Sequence, residues 1–185
     1  MTESVTITCQ DGTPLSGHFL PAHAGLRAAT EQPVLLCPAT GVKQQFYMRF
    51  AAWLAEQGHD VLVFDYRGVG LSLKGRLQDC RATLPEWGQQ DQVAALNWLL
   101  QRTAQAQVAL IGHSAGGQMM GLLPNHHRIS RVVGVATSSG WFRGMRLGFR
   151  VKAHFGLRVA IPLGVRLKGY APTALLGLGE RGYVP

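Results

Sequence analysis

A serine between glycines lies where an apolar strand pattern changes into a helical pattern. Residues 112–116 read Gly-His-Ser-Ala-Gly and fit G-x-S-x-G, and the apolar residues 108–111 precede them. A nucleophile at the tip of such a turn has a strained backbone, and small neighbours leave room for it. The pattern therefore predicts a nucleophile elbow with the hydroxyl of Ser114 above a strand end. A glycine-rich turn with an incidental serine is the alternative interpretation.

Short apolar runs and helical patterns alternate around this turn. Buried strands are predicted at residues 34–37 and 61–64, further strands at 108–111 and 131–136, and helices at about 45–57, 86–104 and 115–123. A hairpin is predicted from its turn at residues 11–12, Asp-Gly. This order predicts an α/β fold: a mostly parallel sheet with helices on both faces. Ligands bind outside the carboxyl ends of such strands, so Ser114 and the loops after Cys37 and Phe64 predict one cleft.

Aromatic side chains recur in the first predicted helix. Phe46, Phe50, Trp53 and Leu54 follow helical spacing, and Gly58 is expected to end the helix. Aromatic residues at this spacing are most simply core residues. The pattern therefore predicts that these four side chains are buried.

Composition favours one globular domain. The chain has 185 residues, of which 46% are hydrophobic and 15% charged, and this excludes a disordered chain. No apolar run reaches membrane-spanning length, and the first residues do not resemble a signal peptide. Cys9, Cys37 and Cys80 are odd in number and widely spaced, which favours neither a disulfide framework nor a metal site. We therefore expect a cytoplasmic protein without a cofactor.

Four stretches of the chain resemble the α/β-hydrolase superfamily. They are residues 38–41 (Pro-Ala-Thr-Gly), the helix at 46–58, residues 65–72 (Asp-Tyr-Arg-Gly-Val-Gly-Leu-Ser) and the elbow at 112–117. Their order and spacing are similar to the serine-hydrolase branch that includes monoacylglycerol-lipase-like and serine-aminopeptidase-like proteins. The resemblance covers residues from about 5 to 140.

This resemblance implies a mechanism. Ser114 would attack an ester, thioester or amide carbonyl, and the backbone N–H groups of Thr40 and Ala115 would form the oxyanion hole. The family usually has His-Gly before its first oxyanion-hole residue, whereas this chain has Pro38 and Ala39. Since the donor is a backbone N–H, Thr40 can still occupy that position.

The remaining triad residues are missing from their usual places. The family order is serine, then an acid, then histidine. After Ser114 the only acid is Glu180, and no histidine follows it. His126 and His127 come just after the elbow helix, which places them at the wrong end of the sheet, and His113 is expected to pack beside the turn. Asp65 and Asp91 precede Ser114, at positions that the resemblance marks as structural.

A shortened chain is the simplest hypothesis for this gap. Residues 1–140 would form the N-terminal part of the hydrolase core, residues 141–185 a partial cap or lid, and the C-terminal strands with acid and histidine would be missing. We then expect very weak hydrolase activity. The strand at 131–136 would be a sheet edge, which favours self-association or aggregation.

Two alternatives to a hydrolase remain open. One is a non-catalytic ligand-binding or interaction protein on the same fold. The other rests on charge. Ten basic residues and one acidic residue follow Ser114, and the whole chain has a net charge of +8. Such a segment could contact a membrane surface or nucleic acid, but its cations alternate with glycine, proline and apolar residues and line no single helical face. No nucleic-acid motif is present, so we expect a small-molecule acyl substrate and no nucleic-acid partner.

Overall fold

Six strands form one sheet in the order β1-β2-β4-β3-β5-β6. The computed structural model describes residues 2–23, 32–139 and 141–168. The strands are β1 (Glu3–Thr8), β2 (Pro14–Leu20), β3 (Val34–Cys37), β4 (Val61–Phe64), β5 (Val108–His113) and β6 (Ile129–Val135). β1 and β2 pair antiparallel, β2 pairs antiparallel with β4, and the pairs β4–β3, β3–β5 and β5–β6 are parallel. The predicted α/β fold with a mostly parallel sheet is confirmed.

Helices lie on both faces of this sheet, with α1 on one face and α3 and α4 on the other. The helices of the described residues are α1 (Met48–Glu56), α2 (Leu84–Glu86), α3 (Val93–Thr103), α4 (Ala115–Gln118), α5 (Leu147–Phe155) and α6 (Ile161–Lys168). A π-helical turn, Trp87–Gln92, joins α2 to α3, and a second one, Gly156–Ala160, joins α5 to α6. The helix predicted to reach residue 123 is α-helical only to Gln118 and continues as a 3-10 turn, Met119–Leu122.

Two buried clusters flank the sheet. One face packs side chains of β1, β3, β4 and β5 against α3 and the elbow helix, with Leu62, Leu96 and Leu110 fully buried. The other face packs alternate side chains of β3 and β4 against α1. Because β3 and β4 are buried on both faces, they consist entirely of apolar residues, as the sequence predicts.

The prediction for the aromatic residues of the first helix is wrong. Phe46, Phe50 and Trp53 are 71%, 43% and 51% exposed, and Leu54 alone of the predicted four is buried. The helix instead turns Tyr47, Ala51, Leu54 and Ala55 towards the sheet. The two small alanines let the helix approach the strands closely, which leaves the bulky aromatic side chains outside.

Strand β6 lies at one edge of the sheet. Among the described residues it pairs only with β5, and residues 130–135 are exposed throughout. Val132, Val133 and Val135 are 46%, 53% and 48% exposed. The predicted strand at residues 131–136 is therefore present as an apolar edge strand.

Residues 141–168 carry exposed apolar and basic side chains. Leu147, Phe149 and Leu167 are 71%, 59% and 73% exposed, and Arg143, Arg146 and Arg158 are also exposed. No helix in the described ranges is long and apolar enough to cross a bilayer. Glu180 and the part of the predicted cap beyond residue 168 lie outside the described residues.

Candidate active site

Ser114 occupies a strained backbone position between β5 and α4. Its φ of 49° and ψ of −115° lie in a region that non-glycine residues rarely adopt. Its N–H donates to the Val135 carbonyl at 2.8 Å, and its carbonyl accepts hydrogen bonds from the N–H groups of Gly117 and Gln118 at 3.1 and 3.2 Å. Strain of this kind costs about 1–3 kcal/mol and persists because the neighbours fix the residue. The half-buried serine therefore has the backbone conformation that a nucleophile elbow requires.

Glycines let two other loops approach the elbow. A Cβ atom on Gly116 would collide with the backbone of Cys37 and Pro38, and one on Gly117 would collide with the Thr137 hydroxyl. That hydroxyl donates to the Gly112 carbonyl at 3.1 Å. The loops after β3, β5 and β6 therefore meet at the carboxyl ends of these parallel strands, as the strand order predicts.

The loop after β3 carries Thr40 beside this elbow. The N–H of Ala39 donates to the Tyr47 hydroxyl at 2.8 Å, and the Val42 N–H donates to the Ala39 carbonyl at 3.1 Å. Gly41 has a φ of 69°, which closes the turn immediately after Thr40. Ala115 is the first residue of α4, where a backbone N–H has no acceptor within the helix. Both proposed donors thus lie on the two segments that contact each other through Gly116.

His113 packs beside the elbow and has a defined partner. Its Nδ1 lies 2.9 Å from the Tyr47 hydroxyl oxygen, and its ring stacks on Phe46 with centroids 6.4 Å apart. Burial raises the pKa of the Tyr47 phenol to about 12, so the hydroxyl stays protonated. No local pattern indicates this contact, since Tyr47 and His113 are 66 positions apart.

Two buried carboxylates hold the loops around the site. Asp65 accepts hydrogen bonds from the Gln44 N–H, the Gln44 side-chain amide and the Leu71 N–H, each at 2.8 Å. Asp91 accepts from the N–H and Nε of Arg67 at 2.8 and 2.7 Å. Burial raises the pKa of both carboxyls, and these hydrogen bonds oppose that rise. Neither carboxylate bonds a histidine directly, so both act on backbone geometry.

Gln92 supports the elbow from the helix side, which the sequence did not indicate. Its side-chain amide donates to the Gly116 carbonyl and to the Tyr66 hydroxyl, both at 2.8 Å. The residue is fully buried in the π-helical turn before α3. The extra residue of a π-turn re-aims a side chain, and such turns occur often at functional sites.

The other histidines lie away from Ser114 or bond elsewhere. His126 and His127 form a turn just before β6 begins, at the opposite end of the sheet from the elbow, as expected. His18, His59, His113 and His126 form ring hydrogen bonds with groups other than Ser114. In the described ranges, no three His, Cys, Asp or Glu side chains gather into a group that could hold a metal ion.

An apolar groove of about 420 Å³ opens next to His113. It lies between α1, β5 and the end of β6. Its walls are Leu36, Cys37, Phe46, Tyr47, Phe50, Ile111, His113 and Val135. Phe50 of α1, with Phe46 and Tyr47 in the turn just before that helix, therefore forms one wall of a groove beside the elbow.

Comparison with known proteins places this arrangement in a family. Residues 32–180 match the family model described as the alpha/beta hydrolase fold. The uncharacterized protein YfhR of Escherichia coli K12 is 33% identical over 70 residues, which are 38% of this chain and 25% of that protein.

Solved structures show the same fold. XC6422 from Xanthomonas campestris, described as an a/b serine hydrolase without lid, superimposes with a TM-score of 0.56 and 19% identity over 76% of this chain and 63% of its own. The hypothetical protein PA2218 from Pseudomonas aeruginosa gives a TM-score of 0.63 and 21% identity over 96% of this chain and 55% of its own. The chain thus spans a quarter of the curated relative and little more than half of these structures. On the match to 149 of its 185 residues, this chain belongs to the α/β-hydrolase family.

Proposed function

We propose that the chain is a serine hydrolase, with Ser114 as the nucleophile that attacks a carboxylic ester or a related thioester or amide. The observation that carries this proposal is the backbone of Ser114, whose φ of 49° is held at a strand-to-helix turn. A strained residue of this kind is retained where its position matters. The family fold suggests hydrolase activity, and the serine at this turn supplies the reacting atom.

The oxyanion hole in this proposal consists of the backbone N–H groups of Thr40 and Ala115. Attack of the Ser114 oxygen on the carbonyl carbon forms a tetrahedral intermediate with a negative oxygen. Ala115 has its N–H at the start of α4, and Thr40 lies in the turn that packs on the elbow. One such donor is commonly worth about 3 kcal/mol in the transition state.

Proton transfer limits this activity. A serine needs a neighbouring base to become nucleophilic. Nδ1 of His113 is bonded to Tyr47, and His126 and His127 lie at the far end of the sheet, so none of these three is the base in this proposal. We therefore propose that a complete triad needs an acid and a histidine other than the residues described around Ser114. Hydrolysis by this chain alone is then very weak.

The substrate in this proposal is a small acyl compound. The groove beside His113 is lined almost entirely by carbon atoms and sulfur, which suits an acyl chain better than a charged peptide. The thiols of Cys9, Cys37 and Cys80 are unpaired, which is consistent with the reducing cytoplasm that we propose as the location.

A non-catalytic binding protein is the second candidate. The hydrogen bond between Tyr47 and His113 favours it, because it removes the histidine nearest in sequence from base catalysis. Such a protein would bind an acyl compound in the groove without turning it over.

Turnover of p-nitrophenyl butyrate, measured beside Ser114→Ala, separates the two candidates. The hydrolase proposal expects slow turnover that Ser114→Ala removes. Equal rates for both proteins would contradict it, and binding of a butyrate ester without turnover would favour the second candidate. Robust turnover from a monomer would show that a base is present, with His113→Ala and His154→Ala the first variants to compare.

A further inference from the structure

One hydroxyl group joins the two halves of the candidate site. The oxygen of Tyr47 accepts the Ala39 N–H at 2.8 Å and lies 2.9 Å from His113 Nδ1. Ala39 immediately precedes Thr40, and His113 immediately precedes Ser114. The tyrosine is only 8% exposed, so water does not compete freely for these bonds. A single buried atom thus ties the loop after β3 to the strand that carries the serine.

The direction of each hydrogen bond follows from counting protons. A backbone N–H can only donate, so the Tyr47 oxygen is the acceptor for Ala39. The hydroxyl proton is then available to His113 Nδ1, which accepts it when the neutral imidazole carries its proton on Nε2. We assign this tautomer because it gives the buried hydroxyl proton an acceptor. Burial, which raises the pKa of Tyr47 to about 12, preserves the hydroxyl proton on which this arrangement depends.

A second contact between the same segments constrains their separation only. Gly116 packs directly on the backbone of Cys37 and Pro38, which fixes how closely the elbow approaches the loop. The hydrogen bond from the Ala39 N–H to Tyr47 holds the peptide between Pro38 and Ala39. The next peptide, which carries the Thr40 N–H, has its carbonyl bonded to the Val42 N–H at 3.1 Å. Tyr47 thus anchors the loop one peptide before the Thr40 N–H.

We propose that Tyr47 is a positioning residue for the oxyanion hole: through Ala39 and His113 its hydroxyl holds the loop that presents the Thr40 N–H in place beside the strand that carries Ser114. The inference rests on the proposed function, because it assigns Tyr47 a purpose in that reaction. The tyrosine does not touch the reacting atoms. It acts by holding two backbone segments in register, while the stacking of Phe46 on His113 restricts the imidazole.

Tyr47→Phe tests the proposal, since it removes one oxygen and keeps the ring. Tyr66→Phe is the matched control: it removes the same atom from a fully buried ring whose hydroxyl bonds the Gln92 side chain. We expect amide hydrogen exchange of Val42, whose N–H bonds the Ala39 carbonyl in the same loop, to become faster in Tyr47→Phe and to stay unchanged in Tyr66→Phe. Nitrogen-15 spectra of His113 should show the Nε2–H tautomer in the parent chain and a loss of that preference in Tyr47→Phe.

Kinetics provide the second readout. Misplacing a catalytic donor by about 1 Å can lower turnover by about 10²-fold. We expect a loss of this order in the Ser114-dependent kcat of Tyr47→Phe and a much smaller change in KM, because the variant keeps the aromatic ring that lines the acyl groove. His113→Phe should produce a similar loss of kcat. The double variant should lose no more kcat than the single variant with the lower kcat.

The outcomes separate this inference from the proposed function. Val42 exchange that is equal in Tyr47→Phe and Tyr66→Phe would overturn the positioning role, with or without measurable turnover. If Ser114→Ala turns over ester as fast as the parent chain, the proposed function fails, and the exchange data still decide whether Tyr47 holds the loop. A loss of kcat in Tyr66→Phe equal to that in Tyr47→Phe would show a general loss of stability and would also overturn the role.

Discussion

The elbow region and the β6 edge with residues 141–168 differ sharply in how they are held. Around the elbow, Leu35, Leu62 and Leu110 are fully buried, and polar groups such as Asp65 have several partners. Beyond the elbow, Val133 is 53% exposed and Leu147 71% exposed. The difference indicates that the sheet up to β5 and its loops contain the contacts that shape the candidate site.

β6 nevertheless contributes to the site through its end. Its last residue, Val135, supplies the carbonyl that accepts the Ser114 N–H, and Thr137 packs on Gly117. The exposed strand is therefore attached to the elbow by backbone contacts, while its outer edge pairs with no further strand among the described residues and its valines are about half exposed. Matched variants in the two regions test this difference.

Replacing a buried leucine should give the largest effect on stability. Leu110→Ala removes a fully buried side chain from β5 and should lower the free energy of unfolding by about 2–5 kcal/mol. Leu163→Ala, in α6, removes a side chain that is 52% exposed and should cost less than about 1 kcal/mol. Urea denaturation followed by tryptophan fluorescence measures both values. Equal losses would mean that residues 141–168 are as tightly packed as the core.

Filling the close approach at the elbow should have the next largest effect. Gly116→Ala places a methyl group against the backbone of Cys37 and Pro38, and such overpacking costs about 1–3 kcal/mol. Gly148→Ala is the matched control, because a Cβ there meets nothing within 4 Å and alanine favours α5 by up to about 1 kcal/mol. Thermal unfolding of the two variants should therefore shift in opposite directions. A Gly116→Ala protein as stable as the parent would contradict the close contact.

The start of the helical segment before α3 should respond to pH. Thr83 and Glu86 form a capping box, and the hydrogen bond from the Thr83 hydroxyl lowers the pKa of Glu86. Thr83→Ala should cost about 1 kcal/mol at pH 7.

The sign of the pH effect follows from that lowered pKa. The stabilisation by Glu86 is fully present above its unfolded pKa of about 4.3, and it is lost as the pH falls through the lower folded value. The difference in unfolding free energy between the parent and Thr83→Ala should therefore shrink below that pH. A difference that stays constant down to pH 3 would argue against an ionised Glu86 in the cap.

Charging the exposed edge should change association more than stability. Val133→Lys combined with Val135→Lys places two cations on β6, and edge charges oppose strand pairing between molecules. We expect sedimentation velocity to show less self-association and unfolding free energy to change by about 1 kcal/mol or less. Thr6→Lys charges the opposite edge strand and is the control. If the double variant and Thr6→Lys associate equally, the β6 edge is not the site of association.

The strands and the elbow were predictable because local sequence determines them. A run of four apolar residues suits a strand buried on both faces, and the Gly-His-Ser-Ala-Gly pattern has a direct steric reason, seen in the contact of Gly116 with Cys37. The resemblance marks Asp65 and Asp91 as structural residues, and in the structure both are buried and hydrogen bonded.

The orientation of α1 could not be predicted in the same way. Phe46, Phe50, Trp53 and Leu54 repeat at helical spacing, but Tyr47, Ala51, Leu54 and Ala55 follow the same spacing one residue later. Periodicity identifies candidate faces and does not say which one packs. The choice depends on how closely the helix approaches the sheet, which is a tertiary property.

Long-range polar contacts were equally hidden. Tyr47 meets His113 across 66 positions, and Gln92 reaches Gly116 across 24. Neither contact leaves a local pattern, because each depends on where the sheet brings separate segments together. The sequence therefore indicates the serine but not the residues that fix the backbone around it.

Trapping the acyl group on Ser114 tests the central claim most directly. The chain is incubated with p-nitrophenyl acetate, digested and mapped by mass spectrometry, with the exposed Ser4 and Ser139 as internal controls. A strained elbow beside an oxyanion hole predicts an acetyl adduct that forms on Ser114 faster than on either control serine and is absent from Ser114→Ala. Acetylation of Ser114 at the rate of Ser4 and Ser139 would contradict its assignment as the nucleophile.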